Sequence, residues 1–88
     1  MIEIQHRLTI KARCPANGED DYYNTLVTVN RVLPVEDIQE TAAGYAQERI
    51  YQEDLTRDLG LIFMAEVVTH GIHSGVYTTC RYDGRTDA

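Results

Sequence analysis

Residues 2–10 read Ile-Glu-Ile-Gln-His-Arg-Leu-Thr-Ile, and this alternation limits the fold more than any other stretch. Ile2, Ile4, His6, Leu8 and Ile10 share one parity, while Glu3, Gln5, Arg7 and Thr9 share the other. A period of two puts successive side chains on opposite faces, so the segment is predicted to be a strand with one face buried. His6 falls on the apolar side, where a hydrogen-bonded core or interface histidine is the expected role.

Asn17-Gly18-Glu19-Asp20-Asp21 follows, and it is turn chemistry because Asn and Gly accept the positive φ that tight turns require. Residues 22–30 are rich in aromatic and β-branched types and predict a second strand, making 2–30 a hairpin. Pro34 suits the first turn of a helix, and Glu36 and Asp37 complement its positive end. Val35, Ile38, Ala42, Tyr45, Arg49 and Gln52 continue a helical spacing, with Gly44 a weak point costing about 1 kcal/mol relative to Ala. A second helical stretch over roughly 53–62 carries Leu55, Leu59 and Ile62 on one side. A break near 51–53 and one continuous helix both fit, and Gly60 is a candidate terminator.

Strand character returns over 63–70 and again over 76–82, interrupted by Gly71-Ile72-His73-Ser74-Gly75, which suits either a hairpin or a glycine bulge. The order is β-β-α-α-β-β. It predicts one α+β domain over 1–82, an antiparallel sheet with helices on one face, and a flexible polar tail over 83–88. Eighty-eight residues bury little apolar surface alone, so a homo-oligomer is expected.

The net charge is −6, and of eight basic residues only Lys11 is a lysine. This scatter is the opposite of a phosphate-tracking surface, so nucleic acid is not expected as a partner, whereas a small ligand is. No basic and apolar leader opens the sequence, and no apolar run approaches the roughly 18 residues of a membrane span. The expectation is a cytoplasmic protein with no membrane partner, in which Cys14 and Cys80 are reduced thiols.

Cys14-Pro15-Ala16-Asn17-Gly18-Glu19-Asp20-Asp21-Tyr22 carries the chemistry. A thiol stands on a turn, and a carboxyl seven residues on returns across it. Such a pair can do nucleophilic and proton-transfer work. The same residues also make an ordinary loop thiol and a solvated acidic turn. Glu53, among Glu48, Asp54 and Asp58, can equally be a solvent-facing charge, and the six tyrosines can serve packing. His70 and His73 flank a glycine and are too few to indicate a metal, so none is expected.

Cys14-Pro15, Gly18, Asp21-Tyr22, then Tyr51-Gln52-Glu53 and His73-Ser74-Gly75-Val76, resemble the tunnelling-fold (T-fold) enzymes. Within them, the 7-cyano-7-deazaguanine (nitrile) reductase family is the nearest. That family carries Cys-Pro, Gly, Asp and an aromatic at the first set of offsets, an aromatic-His-Glu segment at the second, and an Arg-Gly-Gly-Ile-like turn at the third. The resemblance spans about residues 8–80 and implies a T-fold and a role in queuosine-type deazapurine metabolism. Cys14 would then be the nucleophile that forms a thioimide with a nitrile, and Asp21 the proton donor. Glu53 would be the carboxylate that holds the N–H edge of a purine- or pterin-like ring between subunits. Tyr22, Gln52 and His73 would complete the ligand site.

The chain departs from the family at Gln52, where the family has His, and at His73, where it has Arg. The segment with which the reductases bind NADPH is not recognisable in Glu36–Tyr45. A related group without that segment adds ammonia to the nitrile and makes an amidine. The alternative outside enzymes is a non-catalytic small-molecule-binding or assembly protein of the same fold.

Overall fold

The computed structural model describes residues 2–85. Six elements follow the expected order: β1 (Ile4–Arg13), β2 (Asp20–Val29), α1 (Val35–Ala43), α2 (Gln52–Phe63), β3 (Glu66–His73) and β4 (Val76–Asp83). The strands form one antiparallel sheet in the order β1-β2-β3-β4. Ile10 stands opposite Tyr23, Val27 opposite Val67, and Thr69 opposite Cys80. Ile10, Ala12, Tyr23, Val27, Val29 and Val67 are buried with Ile38 of α1 and Leu55, Leu59 and Phe63 of α2. Both helices therefore cover the face to which these odd or even positions point, and the other face is open. This is the α+β layering that the alternation of residues 2–10 predicts.

The two helices are separated by residues 44–51. Tyr45, Arg49 and Gln52 continue the helical spacing in the sequence, yet α1 ends at Ala43 with Gly44 as its C-cap. Arg13 N–H donates to Glu48 C=O at 2.9 Å, and Ile50 N–H donates to Arg13 C=O at 3.1 Å. The segment is thus drawn out along the end of β1 as a short parallel bridge, because these backbone groups find partners there that a helix would deny them. Tyr45 and Ile50 still reach the core, and Gln52 becomes the first residue of α2 instead of the last of α1.

Gly60 does not stop α2, which runs to Phe63 and ends on Met64 in the left-handed conformation (φ 48°). The glycine is required for space. A Cβ on Gly60 would lie 2.7 Å from Tyr82 Cδ2, and one on Gly84 would lie 1.9 Å from Gly60 O. The helix faces inward with Leu55, Leu59 and Phe63, whereas Ile62 is 54 % exposed and does not join the core as the spacing had suggested. No helix among the described residues is long and apolar enough to cross a membrane.

The 71–75 interruption is a hairpin. Ser74 and Gly75 both have positive φ (50° and 82°), the two-residue turn whose twist suits antiparallel strands, and His73 pairs with Val76. β4 runs one residue past 82. Asp83 belongs to β4, Gly84 N–H donates to Ala65 C=O at 2.8 Å, and Arg85 Nε binds Asp83 Oδ1 at 2.9 Å. The rest of the predicted tail, 86–88, lies outside the described residues.

Candidate active site

At one end of the helix-covered face, the β1–β2 turn, the first turn of α2 and the β3–β4 hairpin enclose a cavity of about 320 Å³. Cys14 and Pro15 enter it from the turn, Asp21 and Tyr23 from β2, Gln52 and Glu53 from α2, and His73 and Thr78 from the hairpin. The turn is held by its own backbone. Cys14 N–H donates to Glu19 C=O and Gly18 N–H to Cys14 C=O, both at 2.8 Å, and Asn17 Oδ1 accepts from Glu19 N–H at 2.9 Å. Gly18 has φ 73°, and a Cβ there would strike the Arg49 guanidinium at 2.6 Å. The thiol is therefore presented from a constrained loop, and it is half-buried.

The sequence assigns Cys14, Asp21, Gln52, Glu53 and His73 to one site, and all five line this cavity. Tyr22 does not. It is 60 % exposed and points to the open side of the sheet, near His70 and Tyr77. Strand geometry is the reason: residues 21 and 23 share a face and residue 22 takes the other. Tyr23 lines the cavity beside Asp21, as does Tyr51 from the start of α2, and the parity of Tyr23 with Asp21 is the signal in the sequence that places it there. His70 is likewise turned away from His73, and its Nδ1 lies 2.9 Å from Thr79 Oγ1 on the open face.

Gln52 is 3 % exposed, and its amide is fully engaged. Nε2 donates toward Thr69 C=O at 3.1 Å and Thr78 C=O at 3.0 Å, with Thr69 Oγ1 also at 3.1 Å. Carbonyls only accept, so the nitrogen must face them and Oε1 must face His73 Nε2 at 2.8 Å. Oε1 in turn only accepts, which places a proton on His73 Nε2 and leaves Nδ1 as the second ring nitrogen. Thr56 supports the arrangement by donating to Gln52 C=O at 2.7 Å, with Thr69 Oγ1 at 2.7 Å from its own hydroxyl. Gln52 is thus a residue that orients His73 and ties α2 to β3 and β4, rather than one with donors left for a ligand.

Glu53 lies in the first turn of α2, where the positive end of the helix favours a carboxylate. Tyr23 O–H donates to Asp21 Oδ2 at 3.2 Å, and its ring lies 5.8 Å from that of His73, tilted by 45°. Burial, with the Asp21 carboxylate beside it, pushes the Tyr23 phenol well above its ordinary range, so it remains a donor. Burial, with Glu53 nearby, also pushes the Cys80 thiol up. The cavity therefore combines a thiol, two carboxylates, a neutral phenol and an oriented imidazole. That set can add a nucleophile to an electrophilic carbon and move one proton.

No family model matches the chain, and no curated protein matches it either. Among solved structures, archaeosine synthase QueF-like, in its apo form, superposes with a TM-score of 0.85 at 18 % identity. The match covers 91 % of this chain and 90 % of that one. The chain has the T-fold, the architecture it shares with that synthase.

Proposed function

We propose that the protein binds a nitrile-bearing deazapurine in the 320 Å³ cavity and forms a thioimide with it through Cys14. The observation that carries this reading is the convergence of Cys14, Asp21 and Glu53 on one hollow from three separate elements. Glu53 accepts hydrogen bonds from the N–H edge of the ring, an arrangement suited to a carboxylate with two oxygens. Asp21 takes the thiol proton while Sγ bonds to the nitrile carbon, and one C≡N π bond opens onto nitrogen. The same proton then passes from Asp21 to that nitrogen. Nothing leaves, so the product is the sum of protein and ligand. Ammonia can next add to the thioimide carbon and expel Cys14 as thiolate, giving an amidine. The T-fold neighbour, an archaeosine synthase, supports this outcome over reduction.

Nicotinamide chemistry is a poorer fit. The helix in the corresponding segment, α1, carries Glu36, Asp37 and Glu40 and no Lys or Arg, which does not suit a phosphate-bearing dinucleotide. The reading further takes the protein as a cytoplasmic homo-oligomer whose cavity mouth is closed by a neighbouring copy, as in the family it resembles. Exposed Ile72, Val76 and Tyr77 supply apolar surface for such contact.

The test is intact-mass analysis after incubation with 7-cyano-7-deazaguanine. The expected result is a mass gain equal to the whole ligand, absent in Cys14→Ala and reached only at higher ligand concentration in Glu53→Gln. Ligand binding without any adduct would make the protein a binding module. Neither binding nor adduct would remove the ligand class altogether. The subunit number is read from native mass in the same samples.

A further inference from the structure

Tyr23 has no task in the chemistry above, yet its surroundings are shaped to hold it. Gly71, inside β3, lies beneath its ring: a Cβ there would sit 2.6 Å from Tyr23 Cδ1 and Cε1. Gly71 has no positive φ, so its backbone conformation does not call for glycine, and the ring's space does. The ring in that slot brings the phenolic oxygen to 3.2 Å from Asp21 Oδ2. Its flank faces His73, whose Nε2 is held by Gln52. A buried aromatic with a glycine cut to its shape and a hydroxyl delivered to one carboxylate oxygen is more than core filling.

We infer that Tyr23 is a positioning residue for Asp21, its hydroxyl fixing Oδ2 so that Oδ1 carries the proton from Cys14 Sγ to the nitrile nitrogen. The inference rests on the thioimide reading and assigns it one more residue. The proton account is unchanged: Sγ–H gives its proton to Oδ1, the C–S bond forms, and the nitrogen takes that proton as the π pair reaches it. The groups facing the Tyr23–Asp21 pair are Cys14 from the turn, Glu53 from α2, His73 from β3 and Cys80 from β4. Among these groups the phenol is the donor that meets Asp21 Oδ2, at 3.2 Å.

Tyr23→Phe is the test, because it keeps the ring over Gly71 and removes only the hydroxyl. Adduct formation with 7-cyano-7-deazaguanine is followed by intact mass between about pH 5 and pH 9, at varied ligand concentration. The expected result is a rate at saturation about tenfold lower with half-saturation unchanged. Gly71→Ala, which displaces the ring but keeps the hydroxyl, should reproduce this loss of rate at unchanged half-saturation. A folded Tyr23→Phe protein with the wild-type rate overturns the role of Tyr23 and leaves the thioimide reading standing. Wild-type protein that forms no adduct at any pH overturns both.

Discussion

The C-terminal half of α2 packs Leu59, Gly60 and Phe63 against Ala65, Tyr82 and Gly84, with glycine against glycine where the backbones meet. The first turn of the same helix also buries Gln52 and Thr56, which hydrogen-bond Thr69. One helix thus meets one sheet through dense apolar packing at one end and a polar network at the other. The polar end adds little net stability for its size, because each bond replaces one made to water. What it adds is direction: Gln52 fixes His73 and so shapes the cavity. Stability and site geometry are divided along the helix, and each end can be altered separately.

The packed end gives the largest effect. Gly84→Ala puts a Cβ into Gly60 O, a contact only backbone movement can relieve. It should cost about 3 kcal/mol or more in urea unfolding, at the upper end of overpacking penalties. Any protein that remains folded should form the thioimide at the wild-type rate. A loss of adduct rate in folded Gly84→Ala protein would show that the two ends are coupled.

Gln52→Leu attacks the polar end. It leaves Thr69 C=O and Thr78 C=O without their side-chain donor and frees His73 Nε2. The expected loss is about 2 kcal/mol, smaller than at the packed end. The His73 ring signals should broaden or shift in NMR spectra, and no such change should accompany Gly84→Ala. An unmoved His73 would mean that the hairpin alone orients it.

This division explains what the sequence could reveal. The strands were legible because burying one face writes a period of two into residues 2–10 and 22–30. The Cys14–Asp21 pair was legible for a related reason, since a turn between paired strands returns residue 21 to the end of β1, opposite Ala12. Motif spacing points to Tyr22, whereas parity with Asp21 puts Tyr23 in the wall of this cavity and Tyr22 on the open face. The end of α1 was hidden because Tyr45 and Gln52 keep a helical spacing although one is buried from a turn and the other from a new helix. Gly71 and Gly75 look alike in sequence, yet one makes room for a ring and the other adopts a positive φ. The Gln52–His73 bond could not be read at all, because it depends on how the β3–β4 hairpin lies over α2.

The smallest effect compares two tyrosines under alkali. Tyr23 belongs to the cavity end, while Tyr45 lies in the segment between the helices beside Asp58 of α2. Burial raises both phenols, with Asp21 adding at Tyr23 and Asp58 at Tyr45. An unfolded chain loses these protons near pH 10, whereas the folded chain keeps them. Between those values the folded state binds more protons than the unfolded state, so stability is level below about pH 10 and falls above it. Tyr23→Phe and Tyr45→Phe should each flatten that fall, measured as the urea midpoint between about pH 8 and pH 11. Tyr23→Phe should flatten it more, because Tyr23 is more completely buried than Tyr45. Equal slopes in the two variants would mean that the cavity end holds its phenol no more tightly than the rest of the interior.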